Sequence, residues 1–281
     1  MSINTICVCG AGTMGSGIAQ VSAVAGFDTI LYEVDQAILE KAKSSIEKNL
    51  QTLVEKQKLG AGEKEKIFRL IRFTDDYHQC RAQVIIEAIV ENYDAKNALF
   101  NQLATINDDK TIFATNTSSL SISKIGNKVT HAQRVIGMHF FNPALRMKLV
   151  EIVKGEKTSD DVVHALVDLA GRLGKISVIC KDSPGFIVNR VARPYYIEAL
   201  RVIEEGETDF ASIDELLEST GFKMGPFKLM DLIGNDVNYA VSCSVYEQLN
   251  KPERLKPSFI QKEKVDRGEL GKKTGKGYYL Y

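Results

Sequence analysis

Two short stretches carry the residue types that proton and hydride chemistry at a carbinol would use. His139-Phe140-Phe141-Asn142-Pro143 offers an imidazole, and Asn116-Thr117-Ser118-Ser119 offers an amide and a cluster of hydroxyls. Taking a hydride from a carbinol carbon requires the hydroxyl proton to leave too. Histidine suits that task, because its ordinary pKa of about 6.5 lets it cycle a proton near neutrality. Glu151 falls in the next strand-like run, where it would hold the other ring nitrogen and stabilise the charged imidazole. The competing reading of His139 is an ordinary half-buried histidine. His78, His131 and His164 fall in helix or loop patterns and read as structural.

A hydride also needs an acceptor, and the first thirty-three residues provide for one. Gly10-Ala11-Gly12-Thr13-Met14-Gly15 is a G-x-G-x-x-G sequence set between a β-rich run ending at Cys9 and a small-residue helical run from about Thr13. Gly10 would make the tight turn, Gly12 would admit a pyrophosphate to the backbone, and Gly15 would let helix and strand pack closely. The helix then points its unpaired N–H groups at the phosphates. Glu33 closes a second β-rich run, where a carboxylate would bond an adenosine ribose and repel a 2′-phosphate. The expected cofactor is therefore NAD rather than NADP.

Composition bounds what surrounds these residues. A chain of 281 residues suggests about two domains, and 36 basic against 36 acidic side chains argue for neither nucleic acid nor an anionic membrane as partner. No apolar run approaches the roughly 20 residues that span a bilayer. Strand one begins so near the first residue that no leader is expected ahead of it, which points to the cytoplasm. Five cysteines without a framework spacing fit a reducing setting; Cys7 and Cys9 share one strand face, and no metal site is expected.

Strand patterns at Ile71–Phe73, Val84–Val90, Thr111–Thr115, Val135–Met138, Leu149–Val153 and Ile176–Ile179 alternate with helical ones at Asp94–Ile106 and Ser159–Leu173. The fold class this implies is α/β, a Rossmann-type doubly wound and mostly parallel sheet. Ligands of such sheets sit outside the carboxyl ends of the strands, so the loops after Ala88, Thr115 and Met138 should hold the chemistry. A polar helical arm at about residues 38–70 interrupts the unit. It reads equally as a solvated hairpin or as an arm whose lysines meet a phosphate-bearing substrate. From Pro184 the strand signal stops. Ser183 as N-cap and Pro184 as first helical residue predict a long helix to Glu205, followed by further helices. The expected domains are residues 1–183, which bind the dinucleotide, and an all-α domain at 184–281.

The order of motifs resembles one family. Beside those above, Glu87-Ala88-Ile89-Val90-Glu91-Asn92, Lys181-Asp182-Ser183-Pro184-Gly185-Phe186-Ile187-Val188-Asn189-Arg190, Met224-Gly225-Pro226-Phe227 and Gly271-Lys272-Lys273-Thr274-Gly275-Lys276-Gly277-Tyr278-Tyr279 occur in sequence. Together they resemble the L-3-hydroxyacyl-CoA dehydrogenase family in its short form, over essentially the whole chain. The resemblance implies His139 as base, Glu151 as its partner, and Ser118 and Asn189 as hydrogen-bonding residues for the substrate. It implies NAD contacts from Gly10, Gly12, Thr13, Met14, Gly15, Glu33, Ala88, Glu91, Lys96, Ser118, Asn142 and Lys273. It also gives the arm a role in holding coenzyme A, with Lys56 and Asn49 as contacts, and makes the helical domain a dimerisation domain, so a homodimer is expected. The sequence departs from the family pattern at Glu33, where aspartate is frequent, and at Asn49, where some members carry serine.

The reaction so implied interconverts a short-chain (S)-3-hydroxyacyl-CoA and its 3-oxo form. A dehydrogenase of free hydroxy acids and a non-catalytic NAD-binding protein are the rival readings. A phosphate-hydrolysing P-loop is excluded, since Gly271-Lys272-Lys273-Thr274 lacks the upstream glycine and follows no strand.

Overall fold

The computed structural model describes residues 2–281, and the chain divides into two compact units at Asp182/Ser183. The first opens with β1 (Thr5–Cys9), α1 (Thr13–Val24) and β2 (Asp28–Tyr32). The arm follows as α2 (Gln36–Glu55) and α3 (Ala61–Arg69), and then β3 (Ile71–Thr74). Next come β4 (Val84–Glu87), α4 (Tyr93–Ala104), β5 (Ile112–Thr115), the short α5 (Ile122–Gly126) and β6 (Val135–Phe140). β7 (Leu149–Lys154), α6 (Asp160–Arg172) and β8 (Ile176–Lys181) complete the unit.

One eight-stranded sheet runs in the order β3-β2-β1-β4-β5-β6-β7-β8. Every neighbouring pair is parallel except β6 and β7. The central strands are buried on both faces, which is why β1, β4 and β5 read as nearly unbroken apolar runs. The order reverses between β1 and β4, and that reversal opens a crevice at the carboxyl ends of these strands. α2 is not a bare solvated rod. Leu39, Ala42, Ile46 and Leu50 recur at helical spacing and bury one stripe in the core, while Asp35 caps its first turn by accepting from the Ala37 and Ile38 amides.

Several boundaries differ from those predicted: β4 stops at Glu87 rather than at Val90, and two other shifts bear on the site. β6 continues through His139 and Phe140 because antiparallel pairing with β7 extends it beyond Met138. The helix predicted from Pro184 begins only at Val188 as α7 (Val188–Glu204). Gly185 (φ +75°) and Phe186 (φ +49°) are left-handed, and a right-handed helix cannot run through them.

The second unit holds α7, α8 (Phe210–Ser219), α9 (Pro226–Ile233), α10 (Asn235–Gln248) and α11 (Phe259–Asp266) around Tyr196, Leu200, Phe227, Met230 and Tyr278. Its C-terminal segment is pinned by the buried carboxylate of Asp231, which accepts from the Tyr278 and Tyr279 amides at 3.0 Å each. A Cβ at Gly277 would sit 1.9 Å from Asp231 Oδ1, and one at Gly271 would sit 2.2 Å from the Asp231 carbonyl oxygen, so these two glycines serve close packing. No helix of the described residues is long and apolar enough to cross a membrane.

Candidate active site

Strand register brings together the two residues nominated for proton transfer. His139 and Glu151 are directly opposite across β6 and β7, and His139 Nδ1 lies 2.7 Å from Glu151 Oε2. Both are buried, at 5% and 0% exposure. A carboxylate only accepts, so Nδ1 carries the ring proton and the basic lone pair is on Nε2. When the imidazole gains a second proton, the carboxylate is already in contact to offset its charge.

The hydroxyl-rich loop is fastened to the same strand. Asn116 Oδ1 accepts the Phe140 amide at 2.8 Å, and the Asn116 amide itself donates to the Glu87 carbonyl at 2.8 Å. Glu91 gathers the rest of the loop. Its Oε1 accepts from the Thr117 hydroxyl, from the Ser118 amide at 3.2 Å and from the Ser119 hydroxyl at 3.1 Å. Behind it, Lys96 Nζ reaches Glu91 Oε2 at 3.3 Å and Glu87 Oε1 at 2.5 Å. Lys96 and Glu87 are almost wholly enclosed, and Glu87 also accepts from the Thr115 hydroxyl at 2.6 Å and the Ile89 amide at 2.7 Å. Burial nonetheless pushes the Glu87 pKa up, with Lys96 opposing it. Sequence reasoning missed Glu87 as an anchor, although a carboxylate inside an apolar strand run was a visible signal. The second clamp it missed is Asp182, which holds the start of α5 through the Ser121 hydroxyl (2.7 Å) and the Ile122 and Ser123 amides (3.0 and 2.8 Å).

The glycine loop follows β1 as expected from its spacing. Gly10 has φ +99° and its amide donates to the Tyr32 carbonyl at 2.8 Å, which ties the turn to β2. A Cβ on Gly10 would meet the Ala88 carbonyl at 2.6 Å, so Ala88 closes one side of the turn. α1 starts at Thr13 with no side chain capping its first amides. A Cβ on Gly12 would meet nothing within 4 Å, which leaves room over the loop for a pyrophosphate. Glu33 follows β2 and accepts from the Ala11 amide at 3.0 Å and the Asp35 amide at 3.2 Å, so the acid is held against the loop. Open backbone, uncapped amides and a fixed carboxylate fit an NAD molecule.

Gly15 is the sterically critical position. A Cβ there would fall 1.7 Å from the Gly10 carbonyl oxygen. Gly15→Ala is therefore expected to displace the turn and weaken NADH binding by at least about tenfold, the equivalent of roughly 1.4 kcal/mol. Titration of NADH fluorescence checks this, and unchanged affinity would remove the loop from the binding site.

The remaining candidates divide between the units. Asn142 and Asn49 line a cleft of about 360 Å³ between α1, α2 and the Asn142–Leu145 turn. Lys56 is the C-terminal cap of α2 and is not among the residues lining that cleft. In the second unit, Asn189 is in the first turn of α7, and Lys273 Nζ bonds both carboxylate oxygens of Asp236 at 2.6 and 2.7 Å.

Residues 5–183 match the family model for the 3-hydroxyacyl-CoA dehydrogenase NAD binding domain, and residues 185–281 match that of the C-terminal domain. A 3-hydroxyadipyl-CoA dehydrogenase of Escherichia coli is 46% identical over 99% of this chain, which spans only 59% of that longer protein. The human mitochondrial hydroxyacyl-coenzyme A dehydrogenase is 40% identical, with 99% of this chain and 91% of the relative covered. The crystal structure of an (S)-3-hydroxybutyryl-CoA dehydrogenase from Ralstonia eutropha matches with a TM-score of 0.95 at 38% identity, over 100% of this chain and 99% of the other. The chain thus belongs to the 3-hydroxyacyl-CoA dehydrogenase family and carries that family's NAD-binding domain.

Proposed function

We propose that this protein interconverts short-chain (S)-3-hydroxyacyl-CoA and 3-oxoacyl-CoA thioesters with NAD, using His139 as the general base in oxidation and the general acid in reduction. The observation that carries this reading is the buried 2.7 Å bond between His139 and Glu151, made at the carboxyl end of β6. In oxidation, His139 Nε2 takes the proton of the C3 hydroxyl while Glu151 stabilises the imidazolium through Nδ1. Bound NAD supplies the hydride acceptor. Ser118, whose amide is held by Glu91, donates toward the substrate oxygen as negative charge develops there, and Asn189 is assigned a second hydrogen bond to the substrate. Asn49 and Lys56 on the arm are assigned to coenzyme A, and Glu91, Lys96, Asn142 and Lys273 to the cofactor.

A cytoplasmic homodimer completes the reading. The second unit supports it by exposing Val191, Leu216, Phe222, Leu232, Val237 and Phe259, apolar side chains suited to a second copy.

The test is the loss of NADH absorbance with acetoacetyl-CoA, run beside free acetoacetate and with NADPH in place of NADH. Rapid turnover of the thioester with NADH alone is the expected result. Turnover of the free acid instead would assign the protein to hydroxy acids. NADH binding without turnover of either would leave a binding protein. Adding a thioester with a carboxylate-ended acyl chain reads the acyl preference, since one relative is named for such a substrate.

A further inference from the structure

The first unit has a second cleft, on the edge of the sheet away from the glycine turn. It measures about 310 Å³ and lies at the amino ends of β1, β2 and β3, where Thr5, Asp28 and Thr29 line it. From there β1 runs five residues to Cys9, roughly 16 Å at about 3.3 Å per residue, before the glycine turn begins. The glycine turn and the end of β6 that carries His139 lie at the opposite edge.

Three arginines give this cleft its chemistry. Arg72 is on the edge strand β3, Arg69 is the last residue of α3, and Arg81 lies in the segment between β3 and β4. All three are exposed. Neither Arg72 nor Arg81 makes a side-chain hydrogen bond or ion pair among the described residues. Arg69 meets Glu65, one turn back on α3, at 3.4 Å with both side chains in solvent, a contact worth little. Asp28 is the one carboxylate of the lining, and among the described residues it pairs with none of the three. Like charges gathered on one cleft repel each other, and they draw in an anion that relieves the repulsion. With 36 basic and 36 acidic side chains in the chain, composition does not force such a gathering.

The residue types narrow the anion. A guanidinium offers paired N–H donors that match the oxygens of a phosphate. Ile30 and Leu70 are the only apolar side chains in the lining, too few to favour an acyl chain. A carboxylate beside the cations repels a bare phosphate but accepts from a hydroxyl carried by the same ligand.

We propose that this cleft binds a small phosphorylated polyol of the sugar-phosphate class. Arg72 and Arg81 take the phosphate oxygens, Arg69 adds a third cation, and Asp28 accepts from a ligand hydroxyl. The site is separate from the reaction proposed above and does not depend on it.

Calorimetric titration with ribose 5-phosphate and with inorganic pyrophosphate tests this, on protein saturated with NADH so that the glycine turn is filled. Saturable binding of ribose 5-phosphate to the parent is the expected result. Arg72→Gln and Arg81→Gln should each weaken it about 10-fold or more, the worth of a charge-assisted hydrogen bond, with NADH affinity and melting temperature unchanged. Asp28→Asn should shift the ratio of affinities toward pyrophosphate, which has no sugar hydroxyl and loses only a repelling charge. Absence of saturable binding overturns the proposal. So does equal affinity in the parent and both arginine variants, which would mean an adventitious ion only. Binding of pyrophosphate without ribose 5-phosphate, or an Asp28→Asn shift that is the same for both, overturns the assignment to a hydroxylated ligand.

Discussion

His139→Gln is expected to lower kcat by about 10²–10⁴-fold, the usual worth of a positioned acid–base group, while NADH affinity stays within about threefold. Glutamine keeps a hydrogen-bonding side chain of similar reach but has no basic nitrogen at neutral pH. The hydroxyl proton would then have to leave to water in a site where His139 itself is only 5% exposed. Glu151→Gln should cost less, because the imidazole remains and loses only the charge that stabilises its protonated form. The distinction matters for the mechanism. If the two variants are equally impaired, the pair acts as a unit; if His139→Gln retains near-normal turnover in steady-state assays, His139 is not the base.

Lys96→Met should produce the largest loss of stability of any single change near the site. Lys96 Nζ is the cation facing the enclosed Glu87 carboxylate at 2.5 Å. Removing one partner of a buried pair costs about 3–5 kcal/mol, since an uncompensated charge is left behind. For a unit of this size that corresponds to a fall in melting temperature of roughly 6–20 °C. The loss has a predictable pH dependence. Burial already pushes the Glu87 pKa up, and losing Lys96 removes the opposing attraction, so the folded variant holds its proton more tightly than the unfolded chain. A carboxyl group with a raised folded pKa loses stability as pH rises from its unfolded value through its folded one. The deficit of Lys96→Met relative to the parent should therefore be smaller near pH 5 than near pH 8. Denaturant titrations at both values measure it, and a pH-independent deficit would mean that Glu87 is not the group left unpaired. Replacing both residues, as Glu87→Leu with Lys96→Met, should recover part of the loss. Thr115 and the Ile89 amide would still lose their acceptor.

Lys96 also bears on activity through Glu91. Its ammonium holds one oxygen of that carboxylate, while the other gathers Thr117, Ser118 and Ser119. The assigned cofactor role of Glu91 and Lys96 and their grip on the Ser118 loop are compatible, because the loop and the glycine turn lie at the same carboxyl edge of the sheet.

Residue type and spacing alone determined a good deal. The glycine turn, its flanking strand and helix, and the acid after β2 are local features, each set by what a few consecutive residues allow the backbone to do. The alternation of strands and helices, and its end near residue 183, is likewise written in hydrophobic period. His139 and Glu151 could be nominated from chemistry and from their places in successive strand patterns. What only the tertiary structure decided are the pairings between elements distant in sequence. The antiparallel register of β6 and β7 sets His139 opposite Glu151, and a shift of one residue would have turned the two side chains to different faces. That Glu87 meets Lys96, or that Gln20 meets Asn49 with an amide left over, depends on how α4 packs on β4 and α2 on α1. Even the delayed start of α7 at Val188 turned on two left-handed residues that proline and serine signals did not reveal. A sequence states local preference plainly, but which side chains become neighbours is settled by packing, where many contacts outweigh any one residue's propensity.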